Sequence, residues 1–296
     1  MKFEMKSEHK IDNDFEIKDG VLVKYKGESE NVVIPDGVTG IGGEAFANCS
    51  SLKRITIPNS VTSIGRSAFE KCSSLESITI PDSVTSIGIC TFYKCSSLKS
   101  IVIPDSVTNI GASAFSDTPW LKNKQLNNPL VIINNILVDG TNCSGNITIP
   151  DSVTNIGSYA FWECSSLESI TIPDSVTSIG ICTFYKCSSL KSIVIPDSVT
   201  NIGSSAFLNT PWLKNKQLEN PLVIINNILV DGTNCSGNVT IPNSVTSIGG
   251  DAFVGCDLLE SISVPNSVTS IGKRAFRFCK SLKSITIPDS VTSTCN

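Results

Sequence analysis

From Leu75 to Cys95 the apolar residues are Leu75, Ile78, Ile80, Val84, Ile87, Ile89, Cys90, Phe92 and Cys95, interleaved with hydroxyls, glycine and single charges. Leu75, Ile78 and Ile80 follow Leu-x-x-Ile-x-Ile, in which Ile78 and Ile80 share one face of a short strand while Ser77 and Thr79 take the other. Pro81 fits the end of that strand, because proline has no N–H to give to a sheet interior. Pro81, Asp82 and Ser83 then form a turn, with proline presetting φ and Asp82 able to bond the backbone beyond it. Val84 to Ile87 predicts a second short extended segment and Gly88 a sharp bend. The residues through Phe92 and Cys95 predict a helical or 3-10 turn, too short for a full helix.

This pattern returns every 23 residues, marked by Pro35, Pro58, Pro81 and Pro104, then Pro150, Pro173 and Pro196, then Pro242, Pro265 and Pro288, with both gaps equal to twice that period. A unit of this kind buries its apolar face only against its neighbours, so the fold class is a mainly β repeat solenoid. One elongated domain is expected in place of the two globular ones that 296 residues would suggest. Phenylalanine recurs 11 residues after the proline at Phe46, Phe69, Phe92, Phe115, Phe161, Phe184, Phe207, Phe253 and Phe276. One bulky filler per rung is what native packing density requires, so this column is a core spine and not a ligand channel. Cysteine recurs 14 residues after it at Cys49, Cys72, Cys95, Cys164, Cys187, Cys256 and Cys279, a column suited to small buried hydrophobes. Parallel rungs lie about 4.8 Å apart, slightly far for an unstrained disulfide, so free thiols are expected. Cys90, Cys182, Cys143, Cys235 and Cys295 fall outside the column, and none forms a close pair of the zinc-site type.

Three segments depart from the pattern. Phe15 to Tyr25 reads as a hairpin about Asp19-Gly20, and Leu130 to Asp139 and Leu222 to Asp231 repeat its register with Asn134-Asn135 and Asn226-Asn227 at the turn. The expected organisation is an N-terminal segment with a capping β-hairpin over residues 1–31, then a solenoid over 32–296 with hairpin-containing variant units at about 119–149 and 211–241. The first hairpin covers the open end of the stack, and the inner two replace part of a repeat without breaking it. At Thr118 and Thr210 the cysteine column switches to threonine, and Trp120 and Trp212 are expected to seal the junction or to offer a contact there. The text of Pro81 to Gly157 recurs 92 residues later, which points to duplication of a four-rung block.

Charged residues are 17% and the net charge is −4, so no basic field exists for nucleic acid or anionic lipid. No signal-peptide core is visible near the N-terminus, and no run of about 18 apolar residues predicts membrane insertion. His9 is the single histidine, there is no Gly-rich phosphate loop, and the carboxylates recur as surface features, so the chain reads as no enzyme, with no catalytic, metal or cofactor residues. The mostly acidic edge from Asp36 to Asp289 is read as turn formers, with calcium collection as its alternative.

The assembled unit, Leu-x-x-Ile-x-Ile-Pro-x-Ser-Val-Thr-x-Ile-Gly-x-x-Ala-Phe-x-x-Cys, resembles the BspA-like leucine-rich repeats of surface proteins in bacteria and some protists. The match runs from about Val32 to Thr292, with Gly43 to Cys49 and Arg66 to Cys72 showing its Ala-Phe-x-x-Cys part plainly. The resemblance implies a right-handed leucine-rich-repeat solenoid with a parallel concave sheet. For some members it implies adhesion to host matrix proteins or other microbes, hence an extracellular or cell-surface location.

The outward strand face is the expected contact surface: Arg54, Thr56, Ser77, Thr79, Ser100, Val102, Thr148, Ser169, Thr171, Ser192, Val194 and Thr240. It carries small hydroxyls, almost no charge and no aromatic anchor. One residue earlier, Lys53, Glu76 and Lys99, then Glu168 and Lys191, then Glu260 and Lys283 alternate in sign and support the register. The expected partner is a protein or glycan, with the chain a monomer or weakly associated end to end. The alternatives are an intracellular scaffold or effector that binds a cytosolic protein, and a structural spacer in a larger surface protein.

Overall fold

The computed structural model describes residues 14–294, so His9 and Cys295 lie outside the described residues. The chain divides into two compact units, Met1–Asn127 and Asn128–Asn296.

In the first unit the Leu-x-x-Ile-x-Ile segments form the parallel pairs Asn31–Val33 with Arg54–Thr56 and Ser77–Thr79 with Ser100–Val102, each strand burying its central residue and exposing the two beside it. The second segments are two-residue strands, Gly40–Ile41, Ser63–Ile64, Ser86–Ile87 and Asn109–Ile110, which form one sheet with the hairpin Phe15–Lys18 and Val21–Tyr25 at its head. The hairpin turn takes the left-handed conformation expected of Asp-Gly, with φ 50° at Asp19 and 77° at Gly20. Inside, the rings of Phe46, Phe69, Phe92 and Phe115 stack with centroids 5.1, 5.5 and 5.9 Å apart. Tyr25 extends this spine at one end and Trp120 at the other, 5.1 Å from Phe46 and 4.8 Å from Phe115.

The segment expected to be a helical turn is built differently. The residues 9 and 13 positions after each proline are left-handed, as at Ser67 (φ 52°) and Lys71 (φ 57°), and at Cys90 (φ 55°) and Lys94 (φ 60°). This alternation aims successive N–H groups along the stack: Ser67, Phe69 and Lys71 donate to the carbonyls of Ile89, Thr91 and Tyr93 at 2.7, 2.9 and 2.8 Å. A 3-10 turn would use those donors within the rung and leave the next one unbonded. The glycine after the second strand has a separate cause, since a Cβ on Gly88 would run into the backbone of Gly65 and Arg66 in the rung below.

The second unit repeats the plan twice. Hairpin Val131–Ile133 and Ile136–Asp139 heads a sheet through Asn155–Ile156, Ser178–Ile179 and Asn201–Ile202, and hairpin Val223–Ile225 and Ile228–Asp231 heads another through Ser247–Ile248, Ser270–Ile271 and Ser293–Thr294. The outward-facing strands divide in the same way, into Gly145–Thr148, Leu167–Thr171 and Ser192–Val194, and Gly237–Thr240, Leu259–Ser263 and Ser284–Thr286. At residues 223–231 the hydrogen-bond ladder stops and a new sheet begins, while the apolar core of the stack runs on across the hairpin. The physical reason is that the hairpin's first strand runs antiparallel to its second and cannot continue a parallel ladder.

Before each inner hairpin lies a helix that the sequence reading did not predict, α1 (Pro119–Asn127) and α2 (Pro211–Glu219). Its cause is local. In α2, Thr210 caps the helix by accepting a hydrogen bond from Leu213 N at 3.1 Å, with proline in the first turn where its missing N–H costs nothing. Thr118 does the same for Leu121 at 3.1 Å.

Candidate functional site

Cysteine in the repeat column is free and works as a donor. Cys72, Cys95 and Cys187 each place Sγ 2.9 to 3.1 Å from the carbonyl of the phenylalanine in the rung below, namely Phe46, Phe69 and Phe161. Burial pushes the thiols of Cys143 and Cys187 up to about 12 and that of Cys235 up to about 11. These groups are protonated at neutral pH and make poor nucleophiles or metal ligands. Among the described residues no three His, Cys, Asp or Glu side chains gather as a metal site, and no helix is long and apolar enough to cross a membrane.

What remains open is the outward strand face. Within the first unit, Arg54, Thr56, Ser77, Thr79, Ser100 and Val102 are exposed on strands of Arg54–Thr56, Ser77–Thr79 and Ser100–Val102. Within the second, Thr148, Thr171 and Val194 stand opposite one another in register, and so do Ser169 and Ser192. Ser169 is half-buried and donates to Asn146 Oδ1 at 2.6 Å, while the other four are exposed. Thr240 is exposed on a different sheet, in register with Ser263, so the face comes in blocks. Val102 and Val194 are each 55% exposed and stand on the last outward-face strand before a helix.

The margins of the rungs carry ion pairs between residues 23 apart. Lys53 meets Glu30 at 2.8 Å, Lys186 meets Glu163 at 3.0 Å, Lys280 meets Asp257 at 3.0 Å and Lys283 meets Glu260 at 3.1 Å. Lys283 and Glu260 are both members of the alternating column read from the sequence, and Lys53 of that column pairs with Glu30 one rung before it. Arg274 grips Asp251 with two bonds of 2.9 Å, the best-formed pair of the set.

The family model of the BspA type leucine rich repeat region matches residues 17–143, 121–236 and 231–296, which together take in the rungs with the proline corner, phenylalanine spine and cysteine column. The chain belongs to this family. Among solved structures it is similar to a leucine rich cell surface protein from Faecalibacterium prausnitzii, with 26% identity over 92% of each chain and a TM-score of 0.35. It is also similar to a leucine-rich repeat protein from Eubacterium ventriosum, with 25% identity over 93% of this chain and 86% of the other and a TM-score of 0.40. A Leucine Rich Repeat protein of T. pallidum shares 27% identity over 69% of this chain and 91% of its own, with a TM-score of 0.39. No curated protein matches the chain.

In this BspA-type chain the two tryptophans expected at the hairpin junctions are core residues. Trp120 and Trp212 are each 7% exposed, their rings lying 4.8 Å from Phe115 and 4.7 Å from Phe207. They close the spine and leave little ring for a ligand. A different aromatic group reaches the surface: Trp162 lies 4.3 Å from Tyr185 and 4.9 Å from Tyr159, all three half-buried, with the Lys186 ammonium 5.3 Å from the Tyr185 ring. The sequence held a signal for it. Tyr159 and Trp162 occupy positions that are Ser67 and Glu70 in the Pro58 rung and Asp251 and Val254 in the Pro242 rung, so they are departures from the repeat. Leu126 and Leu218, 77% exposed on α1 and α2, were missed because the helices were missed.

Proposed function

We propose that the chain is a non-catalytic recognition module that holds a protein or glycan on its outward strand face, at a cell surface. The observation that carries the reading is the division of labour in the strands. Ile78, Ile101 and Ile170 are buried in the stack, while the hydroxyls and valines beside them, apart from the half-buried Ser169, are exposed and make few bonds of their own. Membership in the BspA-type family supports a binding role, and the protonated, buried thiols give no support to thiol catalysis. The surface location rests on the family resemblance.

The test is saturable binding of the purified chain to a panel of immobilised matrix proteins and glycans. The expected result is binding to at least one member that soluble ligand competes away. Binding to no member of the panel overturns the reading. Protease treatment of intact cells addresses location, and release of peptides from this chain is the expected outcome.

A further inference from the structure

Regular rungs of the second unit are laced by backbone hydrogen bonds. Cys182, Phe184 and Lys186 donate to Ser204, Ala206 and Leu208 of the next rung at 3.0, 2.7 and 3.0 Å. One rung later the equivalent donors, Ser205, Phe207 and Asn209, meet no backbone carbonyl, and among the described residues no backbone hydrogen bond joins residues 173–219 to residues 223–294. Both sheets end at the same place. The apolar core does not end there, because Trp212, Leu213, Val223 and Ile228 belong to one buried cluster.

Side chains replace the missing ladder. The Asn226 amide donates to the carbonyls of Pro196 and Val199 at 2.7 and 2.9 Å. Gln217 of α2 donates to the buried Asp231 carboxylate at 2.8 Å, and the Ser205 hydroxyl donates to Asp251 at 3.2 Å. Gly250 packs so closely on Ser204 that a Cβ there would strike the serine hydroxyl. A few side-chain bonds and a close backbone approach therefore stand where a regular interface has a backbone ladder.

We propose that residues 223–294 form a block that opens as a unit from the preceding rungs, pivoting where Gly250 meets Ser204 and latched by Asn226. Opening breaks the latches and part of the core cluster, and the parted block, stripped of the apolar surface it packs on, then loses its own ladder as one unit while the ladder of the preceding rungs stays whole. Local opening of this kind follows contiguous cooperative units whose boundaries are where bonding is thinnest.

Native-state hydrogen exchange of the full chain tests this with Asn226→Asp, which keeps the side chain's shape and its tolerance of the left-handed turn but removes both amide donors. Asn227→Asp in the same turn is the control, since Asn226 and Asn227 share left-handed φ values of 46° and 65°. The expected result is loss of protection by about tenfold or more at the amides of residues 247–286 in Asn226→Asp, with residues 178–202 unchanged. Equal loss in both blocks, no loss in either, or as large a loss in Asn227→Asp overturns the proposal.

Discussion

From Cys72 to Cys279 the cysteines of the repeat column close a hydrogen bond that an alanine would leave open. Cys187 Sγ lies 2.9 Å from the Phe161 carbonyl, and its thiol is held protonated with a pKa of about 12. Cys187→Ala removes the donor and a few cubic ångströms of packing, at an expected cost of about 1–2 kcal/mol in denaturant unfolding; an unchanged midpoint would show the bond to be idle. Gly232 has the opposite constraint, because a Cβ there would enter the Phe253 ring. Gly232→Ala is expected to cost about 1–3 kcal/mol by overpacking. Asp231 carries a pH signature: burial raises its pKa, against the lowering effect of bonds from Gln217 and Thr233. A raised folded value means that the folded state holds the proton more tightly, so the stabilisation is present below the unfolded pKa and lost as pH rises through the folded one. Relative to wild type, Asp231→Asn is expected to gain in melting temperature as pH rises through the acid range, and a constant difference would assign the titration elsewhere.

At the scale of elements, α2 depends on a single residue for its start. Thr210→Ala removes the cap that bonds Leu213 N and is expected to cost about 1 kcal/mol, measured as a lower urea midpoint. The Thr-Pro pair was visible in the sequence as a helix start, and the strict 23-residue period hid it by suggesting another rung in the same place. Hairpins were legible because Asp-Gly and Asn-Asn are among the few pairs that accept two left-handed residues, and strands because Ile-x-Ile alternates about a proline stop. The left-handed turn after Gly88 was not legible, since Ser67, Cys90 and Arg274 share no side-chain property that reports φ. Cross-rung ion pairs act at this scale too. Lys283 and Glu260 are exposed and 3.1 Å apart, so Glu260→Lys is expected to lower the melting temperature more in low salt than in high. An equal loss at both ionic strengths would show that the pair contributes nothing through its charge.

Across the molecule, repetition leaves few positions free to differ. The proline, glycine, phenylalanine and cysteine columns serve the stack, and the free positions lie on the outward strand face and on departures such as Tyr159 and Trp162. The face was read correctly from the alternation as exposed. Its division into blocks was not, because the period carries through the hairpins without loss of register while the hydrogen-bond ladder does not. Stack and outward strand face are therefore separable, and the recognition proposed for that face can be removed without unfolding the chain. A variant with Ser169, Thr171, Ser192 and Val194 all changed to Glu is the sharpest probe of this, its binding measured on the panel member that wild type binds in the assay above and alongside thermal melting. The prediction is a cooperative melt that shows the stack still folded, with affinity reduced about tenfold or more, the loss expected when a contact surface is given unpaired charge. Undiminished binding by the folded variant would contradict the claim.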